Sequence, residues 1–352
     1  PVENLKSLFL HLKKEKIIKP IDRSSIKNVS SNHKNAPTID DIYGQEQAKR
    51  AIQIAVAGRH NILLSGPPGS GKTMLAKSLK NLLPALSEDE IVEVTKLHSL
   101  GEHTIINNPI VDRPFRSPHH TASRASIIGG GSKVQPGEIS LAHRGVLFLD
   151  ELLEYPRTVL ESLRQPLEDH EIIVSRANGK FNFPANFLLV ATMNPCPCGF
   201  LGDPEKTCIC SQNQIINYQK RLSGPLLDRI DLTVSVSRVP HEKLLNNKLS
   251  TKSQQETFLS EIHKAYSIQR DRYKCSYKYN NDIPSSNVDK ITSISETAKT
   301  FLTNAAKKLD LSTRSYFKVI KVSRTIADLE GSTSIEIPHI AESLQYRQIN
   351  IG

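Results

Sequence analysis

Gly66-Pro67-Pro68-Gly69-Ser70-Gly71-Lys72-Thr73 is the stretch that decides the fold of this chain. It fits the phosphate-cradling pattern G-x-x-x-x-G-K-[ST]. The apolar run Ile62-Leu63-Leu64 precedes it, and a helix-like stretch from Met74 to Leu83 follows. Glycines let such a loop curl so that its N–H groups converge on phosphate oxygens. The helix N-terminus that follows adds positive dipole at the same point. Lys72 is placed to reach β- and γ-phosphates, and the Thr73 hydroxyl to ligate Mg²⁺. Met74, which opens the helix, completes the expected nucleotide-binding set.

Working outward, short apolar runs alternate with helical patterns from Ile39 to about Arg238. That alternation predicts an α/β domain with a parallel sheet. Four runs read as buried strands: Ile62–Leu64, Val146–Leu149, Phe187–Thr192 and Leu232–Val236. From Pro240 the pattern turns helical, with helices expected over Phe258–Tyr273, Ser295–Leu309, Thr313–Leu329 and Pro338–Tyr346. The expected organisation is a peripheral linker over 1–36, an α/β domain over 37–238 and a helical domain over 239–352. A short helix is expected over Val2–Leu12.

The formal net charge of +10 over 352 residues suits a polyanion partner, although a solubilising surface would give the same number. No apolar stretch reaches the roughly 18 residues of a membrane span, and no signal-peptide pattern opens the chain. The cytoplasm is the expected compartment. The first residue is Pro1, so the sequence reads as a piece of a longer protein.

Two acids follow the strand Val146–Leu149. A buried strand delivers such side chains to the sheet edge beside the phosphate loop. Asp150 is expected in the Mg²⁺ shell and Glu151 as general base on the attacking water. The apolar run Phe187 to Met193 ends at Asn194, whose amide is suited to orienting that water; alone, Asn194-Pro195 would be a turn. Arg229, just before the last strand, is suited either to charge on a neighbour's γ-phosphate or to a surface ion pair with Asp228 or Asp231. Arg314 opens a predicted helix and is expected to reach the nucleotide from the helical domain.

Of five cysteines, four fall in one loop as Cys196-Pro197-Cys198 and Cys208-Ile209-Cys210. Four thiolates suit tetrahedral Zn²⁺; the alternative is four reduced, unligated thiols. The segment Glu171–Phe183 reads as a hairpin turning at Asn178-Gly179.

These residues, in this order, resemble the AAA+ ATPases. More narrowly, Arg113-Pro114-Phe115-Arg116-Ser117-Pro118-His119-His120-Thr121, Pro136-Gly137-Glu138-Ile139-Ser140-Leu141-Ala142-His143 and Ser223-Gly224-Pro225-Leu226-Leu227-Asp228-Arg229-Ile230-Asp231 resemble the magnesium-chelatase-like ComM (YifB) family. The resemblance runs from about Ile39 to the C-terminus. It implies a P-loop fold with a helical lid, and hexameric helicases that promote branch migration during natural transformation. It also implies roles: Lys72 and Thr73 in Walker A, Asp150 and Glu151 in Walker B, Asn194 as sensor 1, Arg229 as trans arginine finger and Arg314 as sensor 2. Family members carry an N-terminal domain resembling a Lon protease fold, which residues 1–36 would follow as a linker.

The resemblance further implies two insertions facing a central pore. One spans 98–131 and offers Arg113, Arg116 and Arg124 to DNA phosphates, with Gly129-Gly130-Gly131 as a mobile tip. His119-His120 reads as a hydrogen-bonded turn. The other spans 170–186 and offers Arg176 and Lys180 at the hairpin tip. The rival to a DNA motor is a chelatase-like ATPase subunit that remodels a protein partner. A nucleotide-gated scaffold would not need the full hydrolytic set.

Overall fold

The computed structural model describes residue 2 and residues 4–18, 36–101, 108–131, 134–176, 179–239, 253–274 and 279–347. Nine strands are present among them: β1 (Ile62–Ser65), β2 (Phe115–Arg116), β3 (Gly129–Gly130), β4 (Gln135–Pro136), β5 (Val146–Leu149), β6 (Glu171–Arg176), β7 (Gly179–Pro184), β8 (Leu188–Met193) and β9 (Leu232–Ser235). Five of them form one sheet in the order β2-β5-β8-β1-β9, with every neighbouring pair parallel. The four runs read as strands are four of these five. The fifth, β2, is a two-residue edge strand too short to leave a periodic signal.

Side chains alternate between two cores, as the period of a strand demands. Ile62, Leu64, Val146, Phe148, Leu188 and Val190 enter one. Leu63, Leu147, Leu149, Leu189 and Ala191 enter the other. Strands this apolar on both faces must be covered on both sides, which is the helix–sheet–helix layering of parallel α/β proteins. Helix Glu46–Gly58 covers the first face, and its ten buried residues include Ile52, Ile54 and Val56. Val159, Leu160 and Leu163 cover the second, together with the β6–β7 hairpin.

The helical region contains helices Gln254–Tyr273, Glu296–Lys308, Thr313–Glu330 and Ile337–Gln345, close to the predicted bounds. Ser253, Ser295 and Ser312 cap the first three, each side chain accepting a backbone N–H three residues on. Helix Thr313–Glu330 is shared between two cores. Val322, Ile326 and Leu329 join the sheet's first face, and Val319, Ile320 and Ala327 join a separate lid core. The expected boundary at 238–239 abuts residues 240–252, which lie outside the described residues. Helix Leu5–Leu12 buries nothing, in keeping with a peripheral element. Among the described residues no helix is long and apolar enough to cross a membrane.

Part of the segment 98–131 is built into the domain itself. It supplies β2 to the central sheet, and Gly129-Gly130 pairs with Gln135-Pro136 in a small ribbon. Residues 102–107 lie outside the described residues. The expectation that Arg113 contacts DNA is corrected. Its guanidinium is buried against Glu90 at 2.9 Å, with side-chain exposures of 6% and 4%. It also donates to Pro84 O at 2.7 Å and Arg144 O at 2.6 Å. Arg116 is half-buried and donates twice to Glu138, both at 2.7 Å. The first of these pairs staples helix Glu88–Gly101 to the start of β5. Arg113→Ala is therefore expected to strand a buried carboxylate and cost about 3–5 kcal/mol of stability. Urea unfolding of the purified variant checks this, and an unchanged midpoint would contradict it.

Candidate functional site

Because all five strands run the same way, their C-terminal ends lie along one edge. The phosphate loop leaves β1 there, Asp150-Glu151 leave β5 and Asn194 leaves β8. The register fixes their levels: Ser65 lies beside Met193, and Leu149 beside Ala191. Helix Lys72–Ser78 starts at Gly71, which has φ +88, and Gly69 has φ +77. Both positions need the left-handed region that glycine enters freely, so the loop closes over the helix N-terminus without strain.

Five side chains converge at this edge: Lys72, Thr73, Asp150, Thr192 and Asn194. Lys72 Nζ donates to Gly66 O at 2.7 Å, Pro67 O at 2.8 Å and Asn194 Oδ1 at 3.3 Å. Thr73 Oγ1 donates to Asp150 Oδ2 at 3.1 Å. Thr192 Oγ1 donates to the other oxygen of the same carboxylate. Burial pulls the Lys72 ammonium below its usual pKa, against the opposing pull of Asp150 and Glu151. An anion beside it would favour the charged form, so the group is suited to a polyphosphate. The buried Ser70 Oγ has no protein partner, which leaves one more donor inside the loop. Pro68 and Met74 are exposed at the rim. The residues present thus fit a nucleotide triphosphate with Mg²⁺: a donor cradle, a cation, and the hydroxyl–carboxylate pair Thr73–Asp150 within reach of one metal ion.

Glu151 has φ 52 and ψ 53, a left-handed conformation that is unusual for a glutamate. Its N–H donates to Thr192 Oγ1 at 3.0 Å. Such backbone strain costs about 1–3 kcal/mol and concentrates at working sites. Here it turns the carboxylate out of the strand line, leaving it 55% exposed over the edge. His120 lies beside it, with Nδ1 at 3.8 Å from Glu151 Oε2. The imidazole stacks on His119 and meets the ring of Tyr155 edge-on. Tyr155 OH in turn donates to Pro118 O at 2.5 Å. Sequence reasoning took His119-His120 for a turn only. The signal that identifies His120 is its place just after an edge strand adjoining β5, which only the topology reveals.

Arg229 and Arg314 are not at this edge. Arg229 precedes β9 at the N-terminal end of the sheet, and β9 alone separates the two edges by roughly 13 Å. Both arginines pair with Glu168, Arg314 at 3.7 Å. Lys318, one turn beyond Arg314, donates to Ile230 O at 2.6 Å. The expectation that Arg314 reaches the nucleotide of its own chain is corrected: it shares the far edge with Arg229.

The hairpin β6–β7 forms as predicted, but its last pair is Arg176 with Gly179. The expected Asn178-Gly179 turn falls in part on residues 177–178, which lie outside the described residues. Ile172, Val174 and Phe183 anchor the hairpin in the core, while Ile173 and Phe181 are exposed. Lys180 and Arg124 are exposed.

The four loop cysteines gather at one point. Their sulfurs all lie within 4.8 Å of one another, with Cys196 to Cys198 at 3.4 Å and Cys208 at 3.6 Å from both. Four sulfurs at about 2.3 Å from one Zn²⁺ would be about 3.8 Å apart, whereas a disulfide needs about 2.05 Å. Backbone N–H groups of Phe200 and Ile209 pull the Cys198 thiol down to about 6. Burial pushes the Cys196 thiol up. The donor set and spacing fit a tetrahedral metal. Cys275 lies outside the described residues.

Two family models match the chain: "Magnesium chelatase, subunit ChlI" over residues 38–244 and its C-terminal model over residues 252–347. The competence protein ComM of Haemophilus influenzae is 45% identical over 331 residues, 93% of this chain and 64% of that protein. The uncharacterized protein YifB of Escherichia coli is 40% identical over 313 residues, 89% of this chain and 60% of that protein. The magnesium-chelatase 38 kDa subunit of Cereibacter sphaeroides is 27% identical over 171 residues, 44% of this chain and 51% of that subunit. The chain spans 64% and 60% of the length of the first two relatives. Matches that cross from the sheet into the lid, joined to the parallel sheet and its phosphate loop, lead to one assignment: this chain belongs to the ComM/YifB family of magnesium-chelatase-like AAA+ ATPases.

Proposed function

We propose that this chain is the ATP-hydrolysing part of a DNA motor that works as a hexameric ring in branch migration or unwinding. The observation that carries the reading is the polarity of the sheet. Nucleotide-holding groups collect at one edge and two arginines at the other. A subunit built this way cannot complete its own site, but a head-to-tail neighbour can.

In this reading the loop N–H groups and Lys72 hold the phosphates, with Thr73 and Asp150 as the Mg²⁺ ligands. A Mg²⁺ held there would supply positive charge to the phosphates. Glu151 takes a proton from the attacking water, and Asn194 orients that water. His120 is a positioning residue that steadies the Glu151 carboxylate. Arg229 and Arg314 of one subunit enter the neighbour's site, where they offset charge on the γ-phosphate. Glu168 holds both arginines until that anion competes for them. The assignment of DNA contacts narrows to Arg124, Arg176 and Lys180, since Arg113 and Arg116 are already matched by Glu90 and Glu138. Four thiolates at Cys196, Cys198, Cys208 and Cys210 hold a structural Zn²⁺. Competence in the name of the Haemophilus relative is in keeping with work on incoming DNA, and a cytoplasmic setting follows from the same reading.

Steady-state ATPase activity, with and without single-stranded DNA at two salt concentrations, tests the motor reading. Stimulation that weakens with salt is expected. ATPase activity indifferent to DNA would shift the reading to a chelatase-like subunit acting on a protein partner. Arg176→Ala with Lys180→Ala is expected to flatten the logarithmic salt slope of single-strand binding by about 1.4, at about 0.7 per phosphate contact. An unchanged slope would remove the hairpin from the DNA path. Glu151→Ala is expected to bind nucleotide normally and lose turnover by at least about 100-fold, and His120→Ala to lose about tenfold at unchanged nucleotide affinity. Wild-type turnover in Glu151→Ala would refute its role as base.

A further inference from the structure

The cysteine loop is built against the phosphate loop. Gly199 lies one residue beyond Cys198, has φ +83, and packs directly on Pro68. A Cβ at position 199 would lie 2.6 Å from Pro68 Cδ. Arg238, at the exit of β9, bridges the same two elements from the other side. Its Nη2 donates to Pro68 O at 3.1 Å, and its Nη1 reaches Glu205 Oε2 at 3.3 Å. Its guanidinium also covers the ring of Phe200. At the start of the loop, Cys196 follows Asn194 by two residues, and Asn194 Oδ1 accepts from Lys72.

We propose that Zn²⁺ held by the four cysteines is a positioning element for the nucleotide site, so that metal occupancy sets nucleotide affinity. The inference rests on the ATP and zinc assignments above and adds the coupling between them. The physical reason lies in the composition of the loop. Residues 197–210 carry one half-buried aromatic, four glycine or proline positions and exposed polar residues, which bury too little to order themselves. Four metal–thiolate bonds supply that order. Once ordered, the loop closes the space above Pro68 and sets the height of Asn194. The phosphate loop then meets its ligand already shaped, and binding does not bear the cost of ordering it. Loss of metal should loosen both contacts together.

The test uses the full chain, with zinc content and the affinity for a fluorescent ADP analogue measured on each preparation. Wild type is expected to carry one Zn²⁺ per chain. Cys208→Ser, or wild type stripped with a thiol-reactive mercurial and chelator, is expected to lose the metal. Its nucleotide Kd should rise about tenfold while its far-ultraviolet circular dichroism is retained. Gly199→Ala keeps all four cysteines and is expected to retain zinc while its Kd rises by a similar factor. Metal-free protein that is folded and binds the analogue with wild-type affinity would overturn the coupling alone. Freshly purified wild type without zinc would overturn the metal assignment and the coupling with it. Failure of zinc-loaded wild type to bind the analogue would instead sink the nucleotide assignment on which both stand.

Discussion

Parallel pairing across all five strands is the constraint from which the rest of the molecule follows. A parallel sheet has two chemically different edges, because every strand presents its last residues on the same side. Gly66, Asp150 and Asn194 are far apart in sequence, yet each is the first or second residue past a strand end. Their convergence is a consequence of direction, not of local sequence. The same constraint sends Arg229, which precedes a strand, to the opposite edge. Thr192 shows how tightly the register is used. It is the penultimate residue of β8, level with Leu64, and its hydroxyl serves both the Asp150 carboxylate and the Glu151 N–H.

Asp150 and Glu151 are adjacent in sequence and live in different environments. Asp150 is tied by hydrogen bonds from Thr73 and Thr192. Glu151 is bent away by its left-handed backbone and keeps an exposed carboxylate beside an imidazole. A residue assigned to ligate metal needs fixed geometry, and a residue assigned to move a proton needs access to water. Two neighbouring carboxylates acquire these separate characters through one strained peptide. The next two residues, Leu152 and Leu153, are buried in the second core and hold the chain in this course as it leaves β5.

How much of this was legible in the sequence depends on how local each signal is. The phosphate loop, the acid pair and four strands were legible because an apolar run and its flanking residues carry them whole. The helices after Pro240 were legible from their helical apolar pattern. What escaped was relational. Arg113 looks like any loop arginine until the fold brings Glu90 and the carbonyl of Arg144 around it. β2 is two residues long, and its strand character comes from pairing with β5. The register of the hairpin is set by which side chains must face the core, and Ile172, Val174 and Phe183 fix it. His120 carries no motif of its own, and its nearness to Glu151 follows from a strand that sequence reasoning did not find.

The lid completes the argument about edges. Helix Thr313–Glu330 begins at the far edge, where Arg314 and Lys318 meet Glu168 and Ile230, and it continues across the first face of the sheet. Along its length it exchanges one core for the other, with Val319 and Ile320 in the lid and Val322 and Ile326 on the sheet. Near its end, Asp328 is buried and accepts from Arg272, Arg324 and Asn280, while Thr325 bonds His60 at the end of helix Glu46–Gly58. Burial holds that imidazole neutral, with its pKa lowered to about 4. Close-packed interiors transmit displacement because they cannot absorb it in voids. Helix Glu46–Gly58 packs on the helix of the phosphate loop and, through the His60–Thr325 contact, on helix Thr313–Glu330, whose first turn carries Arg314 at the other edge. One helix thus has a foot in each core and runs from the first face of the sheet to the far edge that carries Arg314.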